Sequence, residues 1–153
     1  MKLYVVQHAK AVEKEVDAER ALSAEGKQDI GRVAAFVKGQ NLSIERIWHS
    51  GKFRAAQTAE ALAKAVRAGK VEEREGLKPN DSVQKVANEL GASEASTMLV
   101  GHMPFVSRLA SALLSGSEKA EVVKFRQGCV VCLGRGEDGK WAVEWMVIPE
   151  ILG

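Results

Sequence analysis

Short apolar runs and helix-period segments alternate along most of this chain, and that alternation limits its fold more than any other feature. Leu3, Tyr4, Val5 and Val6 stand in a row, which reads as a strand over Lys2–Val6 covered on both faces. Ser23 is placed to cap a helix running to about Lys38, with Ile30, Val33, Ala34 and Val37 on one face and Gly39 at its end. A second strand is expected over Ile44–His49. A second helix follows over Lys52–Ala68, with Ala55, Ala59, Leu62, Ala63 and Val66 inward and Gly69 beyond it. Alanine on that face lets the helix approach a sheet closely. Lys70–Arg74 reads as a short third strand. Asp81 is placed to cap a third helix through Leu90, with Val83, Val86 and Ala87 inward and Gly91 as its stop. Thr97–Val100 gives a fourth strand. Pro104 then suits the first turn of a fourth helix striped by Phe105, Leu109 and Leu113.

The last part of the chain changes character. Val130–Gly134 and Trp141–Val147 read as two strands of a hairpin around Gly136-Glu137-Asp138-Gly139. In the second of them Trp141, Val143, Trp145 and Val147 alternate, which predicts one solvated face. Strands interleaved with helices predict an α/β sandwich around a largely parallel sheet, with the hairpin at its end. No repeat or linker interrupts the pattern. Residues 1–153 are therefore read as one domain, at the length one domain usually has.

Composition narrows the function classes. Lys and Arg number 22 against 20 Asp and Glu, so there is no electrostatic footprint for nucleic acid. No run of about 18 apolar residues is present to cross a membrane. The opening MKLYVVQHAK turns polar too early for a secretory signal, which points to the cytoplasm. Cys129 and Cys132 form C-x-x-C, the spacing of a redox pair or half a zinc site. Here they fall in a strand, where residues three apart face opposite ways, whereas a redox C-x-x-C opens a helix and zinc needs further ligands nearby.

In a parallel sheet, ligands bind beyond the carboxyl ends of the strands. Three polar features are expected on that rim: Gln7-His8, then His49-Ser50-Gly51 with Arg54, then Gly101-His102. His8 alone would be an ordinary polar residue. Beside a second histidine and an arginine it becomes a candidate nucleophile, since neutral imidazole is available near pH 7 and forms covalent intermediates. Attack on phosphorus requires its oxygens to be held, and the guanidinium fork of Arg54 at a helix start suits that task. Ser50 and Thr58 are hydroxyls close by. Thr58, one turn after Arg54, is placed either to order that side chain or to pack. His102, when protonated, would bind a phosphoryl oxygen. A zinc site of His8, His49 and His102 is the competing arrangement, with no evident second shell.

Four ordered pieces carry a family resemblance. They are Leu3-Tyr4-Val5-Val6-Gln7-His8-Ala9-Lys10-Ala11, Arg20-Ala21-Leu22-Ser23-Ala24-Glu25-Gly26, Ser50-Gly51-Lys52-Phe53-Arg54-Ala55-Ala56-Gln57-Thr58-Ala59-Glu60 and Val100-Gly101-His102-Met103-Pro104. Together they resemble the histidine phosphatase superfamily, and most of all its SixA-type phosphohistidine phosphatase branch. The resemblance implies a three-layer, phosphoglycerate mutase-like α/β/α fold with no cofactor and no metal. It also implies His8 as the phosphorylated nucleophile, Arg54 and His102 as phosphate contacts that share the catalysis, and Arg20 at the pocket edge, with Gln7 and Ser50 as further candidate phosphate contacts. The implied reaction is removal of phosphate from a phosphorylated protein, such as a histidine phosphotransfer domain, in signal transduction.

Two positions depart from the family pattern. Gln7 stands where the family has its first phosphate-binding arginine. Exchanging a charge-assisted hydrogen bond for a neutral one costs on the order of tenfold in transition-state stabilisation, which Lys10 or Arg20 could partly offset. His49 stands where a small residue is usual, and reads as a strand end rather than an extension of the phosphate site. Glu75 and Asp81 lie where larger relatives carry a general acid, although a phosphohistidine needs that acid less. Short connections imply no large lid, which suits a protein-bound phosphate. The other readings left open are a small-molecule phosphomonoesterase and, because of Gln7, a non-catalytic phosphate- or phosphohistidine-binding module.

Overall fold

The computed structural model describes residues 1–153. Its elements run β1 (Lys2–Gln7), α1 (Ala24–Lys38), β2 (Ser43–His49), α2 (Phe53–Ala63), β3 (Arg67–Glu73), α3 (Gln84–Ala92), β4 (Thr97–Gly101), α4 (Phe105–Ser115), β5 (Val130–Arg135) and β6 (Trp141–Val147). The six strands form one sheet in the order β3-β2-β4-β1-β5-β6. β1 to β4 are mutually parallel, and β5 and β6 add an antiparallel hairpin at one edge. The sheet is thus mostly parallel.

Period-two burial along β1 and β4 explains the layers. Tyr4, Val6, Ile44, Ile47, Met98 and Val100 pack under α1 and α2, against Ile30, Val33, Ala59 and Leu62. Their neighbours Leu3, Val5, Trp48 and Leu99 pack under α3 and α4, against Val86, Leu90, Phe105 and Leu109. Full burial of one such Leu or Ile contributes about 1.5–3 kcal/mol, enough to hold short helices whose intrinsic propensity would not. Ser23 caps α1 as expected, its hydroxyl accepting the Gly26 N–H at 3.0 Å. Cys129 and Cys132 are both buried free thiols and join opposite cores.

Several boundaries differ from the sequence reading. α2 stops at Ala63, and the Arg67–Glu73 segment pairs with β2 instead of continuing the helix. Gly69 is therefore a mid-strand residue, where a Cβ would collide with the Glu45 carbonyl. α3 begins at Gln84, and Asp81 caps a preceding turn by accepting the Lys78 N–H at 2.9 Å. Pro104 stands just outside α4 rather than in its first turn. In β6 the pairing shifts between Cys132↔Trp145 and Leu133↔Val143, so Glu144 is an extra residue. That bulge sends Trp145 to the α1–α2 side and Trp141 to the α3–α4 side, in place of a simple alternation with one wet face.

Candidate active site

The rim at the carboxyl ends of β1, β2 and β4 brings the separated polar features together. The His8 N–H donates to the Gly101 carbonyl at 3.0 Å, continuing the β1–β4 ladder, so His8 and His102 leave adjacent strands at one level. Their rings lie with centroids 5.0 Å apart, inclined by 51°. Both are buried, His8 at 7% and His102 at 2% exposure.

Each imidazole is fixed by one nitrogen. His8 Nδ1 lies 2.7 Å from the Ala9 carbonyl oxygen, which can only accept, so the ring proton sits on Nδ1 and the lone pair on Nε2. Burial pushes the His8 pKa down to about 4, and Arg54 and Arg20 act in the same direction against the Ala9 hydrogen bond. His102 is lowered to about 3, by burial first and then by His8, Arg54, Lys52 and Arg20. Both rings are consequently neutral near pH 7, and His102 is not the imidazolium its ordinary pKa would allow. No carboxylate figures among the groups that act on either ring.

Arg54 occupies the first turn of α2, where Lys52 makes no side-chain cap and the helix start adds positive potential. Its Nε is buried without a partner, as are His102 Nδ1 and Gln7 Oε1. Burial and the nearby Arg20 disfavour the Arg54 charge. Arg20 is held at φ 54° with Nε donating to the Val12 carbonyl at 3.1 Å. Its loop is pinned by Gln57, whose Oε1 accepts the Leu22 N–H at 2.7 Å. Gln57 escaped the sequence reading, although its place three residues after Arg54 on α2 was the available signal.

Other candidates take different places. Thr58 does not order the Arg54 side chain. Its hydroxyl donates to the Arg54 carbonyl at 2.8 Å and accepts the Ala9 N–H at 3.0 Å, tying the loop after β1 to α2. Ser50 Oγ lies 2.6 Å from His102 Nε2 and accepts the Lys52 N–H at 3.3 Å. The Lys10 ammonium pairs with Glu25 at 2.7 Å, and so does not replace an arginine at position 7. His49 Nδ1 accepts the Gly51 N–H at 3.1 Å, and the side chain lies in a hollow with Glu60, Ala63, Lys64 and Val71. It shapes the turn, in which Gly51 adopts φ 88°. Glu75 and Asp81 line a cleft of about 480 Å³ with Arg74, Ser82 and Lys85, and neither imidazole belongs to its lining. No three His, Cys, Asp or Glu side chains are grouped to hold a metal ion.

Comparison with known proteins identifies the family and the fold. A family model of the histidine phosphatase superfamily (branch 1) matches residues 3–81, the part that holds Gln7, His8, Arg20, Ser50 and Arg54. Phosphohistidine phosphatase SixA of Escherichia coli (strain K12) is 26% identical, over 97% of this chain and 94% of its own. An uncharacterized protein of Picosynechococcus sp. is 30% identical, over 84% of this chain and 86% of its own. Among solved structures, the protein histidine phosphatase SixA complexed with tungstate superposes with a TM-score of 0.87 at 26% identity, covering 100% of both chains. The phosphoserine phosphatase of Entamoeba histolytica, in complex with 3-phosphoglyceric acid, superposes at 0.73 with 17% identity over 95% of each chain, a likeness of fold alone.

Proposed function

Since this chain belongs to the histidine phosphatase superfamily, branch 1, we propose that it removes phosphate from phosphohistidine in a protein, through a covalent intermediate on His8 and without a metal ion. One observation carries the reading: a buried, neutral His8 with its lone pair on Nε2 shares the rim with two buried nitrogens that have no protein partner, Arg54 Nε and His102 Nδ1. A lone pair next to unused donors in a cationic rim matches a phosphoryl group under attack.

The steps follow from these atoms. His8 Nε2 attacks phosphorus while Arg54, His102 and Gln7 hold the oxygens and Arg20 adds charge at the edge. The P–N bond to the substrate breaks, and the substrate imidazole leaves neutral, its proton already on its other nitrogen. No carboxylic acid is required, consistent with Glu75 and Asp81 lining a separate cleft. Phospho-His8 keeps its Nδ1–H on the Ala9 carbonyl. Water then attacks phosphorus, the P–Nε2 bond breaks, and phosphate leaves as H₂PO₄⁻ with both water protons, returning neutral His8. Residues 1–153 act in this as one domain. No helix is long and apolar enough to cross a membrane.

Incubation with a phosphohistidine-bearing protein tests the reading by intact mass and phosphate release, with phosphoserine run in parallel. The expected result is one phosphoryl group transiently on the enzyme and phosphate freed from the protein substrate. Absence of both sinks the proposal, and release from phosphoserine alone moves the substrate class to small phosphomonoesters.

Gln7 supports a second reading, a phosphohistidine-binding module, because an amide brings no charge where the family uses arginine and its Oε1 is unpaired. Gln7→Arg separates the two. For an enzyme, kcat/KM rises by about tenfold, the difference between a charge-assisted and a neutral hydrogen bond. For a binding module only affinity changes, with turnover absent in both forms.

A further inference from the structure

The unused proton of a single hydroxyl decides how His102 meets its ligand. Ser50 Oγ already accepts the Lys52 N–H at 3.3 Å, and its other polar neighbour is His102 Nε2 at 2.6 Å. Ser50 is 5% exposed, and no other protein group takes its O–H. A hydroxyl carries one proton, and placing it toward Nε2 satisfies the serine as donor and the imidazole nitrogen as acceptor. The ring proton of neutral His102 must then sit on Nδ1, the buried atom with no protein partner.

We propose that Ser50 is a positioning residue that holds His102 in its Nδ1–H tautomer, so that a neutral imidazole donates a hydrogen bond to the phosphoryl group. The opposite tautomer would leave a buried lone pair facing anionic oxygens and an undonated serine proton. The charged and titratable groups acting on His102 are His8, Arg54, Lys52 and Arg20, with no carboxylate among them to favour an imidazolium. Burial lowers its pKa in the same sense. Binding through a neutral donor survives above the usual histidine pKa, where binding through an imidazolium would fade. Ser50, taken from the sequence as a phosphate contact, thus acts through His102.

The inference rests on the proposed phosphatase reading for its consequence in catalysis, but not for its test. Two-bond ¹H–¹⁵N NMR of histidine-labelled protein at pH 7 reports which nitrogen of each of the three histidines carries the proton. The expected wild-type result is protonated Nδ1 on His102. Ser50→Ala shifts His102 toward the Nε2–H form and weakens inorganic phosphate binding by about tenfold at pH 8, the scale of one unsatisfied hydrogen bond. Ser50→Thr, which keeps the hydroxyl, restores both. A wild-type His102 protonated on Nε2, or a tautomer unchanged in Ser50→Ala, overturns the inference even if phosphatase activity is present. Correct tautomers with no phosphohistidine turnover would instead overturn the function and leave the role of Ser50 standing.

Discussion

His8→Ala is expected to lower turnover of a phosphohistidine protein by roughly 10⁴-fold or more while leaving anion binding in place. The side chain supplies the lone pair that attacks the substrate phosphorus and carries the intermediate that water then hydrolyses. Removing it deletes a step rather than weakening one. The fold loses the imidazole's bond to the Ala9 carbonyl but keeps its backbone ladder at this position. The backbone bonds at this residue, from its N–H to Gly101 and from the Gly128 N–H to its carbonyl, do not involve the imidazole. Arg54 and His102 remain to hold phosphate. The variant should therefore bind inorganic phosphate with near wild-type affinity, take up no phosphoryl label and release no phosphate. Retention of more than about a hundredth of the turnover would falsify the assignment of His8 as nucleophile, as would a phosphoryl label of undiminished yield on another residue.

The site was legible where the sequence marks strand ends. Gln7-His8, Ser50 with Arg54, and Gly101-His102 each follow a strand expected from the sequence, and parallel topology then puts them on one rim. Ser23 and the Lys2–Val6 run were equally clear, because a cap and a doubly buried strand each have a local signature. The α2–β3 boundary was not legible. Ala63-Lys64-Ala65-Val66 has good helical propensity, and pairing of Arg67 and its successors with β2 overrides it. The same holds for the bulge at Glu144, whose cause is registry with β5 rather than anything in the Trp141–Val147 pattern. Burial of the histidines was also hidden. It turns two groups of ordinary pKa into neutral rings, and it depends on contacts such as Ser50 with His102, 52 residues apart in sequence. Lys10 shows the converse: its position beside His8 suggested help for the phosphate, and Glu25 takes its charge instead.

Arg54→Ala carries the second large effect, and stability separates its causes. As the main cationic fork at the phosphoryl oxygens, Arg54 should be worth about 10²- to 10³-fold in kcat/KM, the scale of one preorganised donor in a charge-stabilising site. Arg54→Lys should recover little, because a point charge on a flexible stem does not reproduce the planar pair of N–H bonds. No hydrogen bond or ion pair of the fold, by contrast, uses this guanidinium. Its Nε is buried with no partner, and both burial and Arg20 disfavour its charge. Alanine is also at least as good a helix former. The urea midpoint of Arg54→Ala should accordingly equal or exceed that of the wild type, while catalysis collapses. A lowered midpoint with kcat/KM preserved would mean that Arg54 serves the start of α2 and not the phosphate. A residue the folded state holds at a cost, and that catalysis cannot lose, is what an anion site built ahead of its ligand requires.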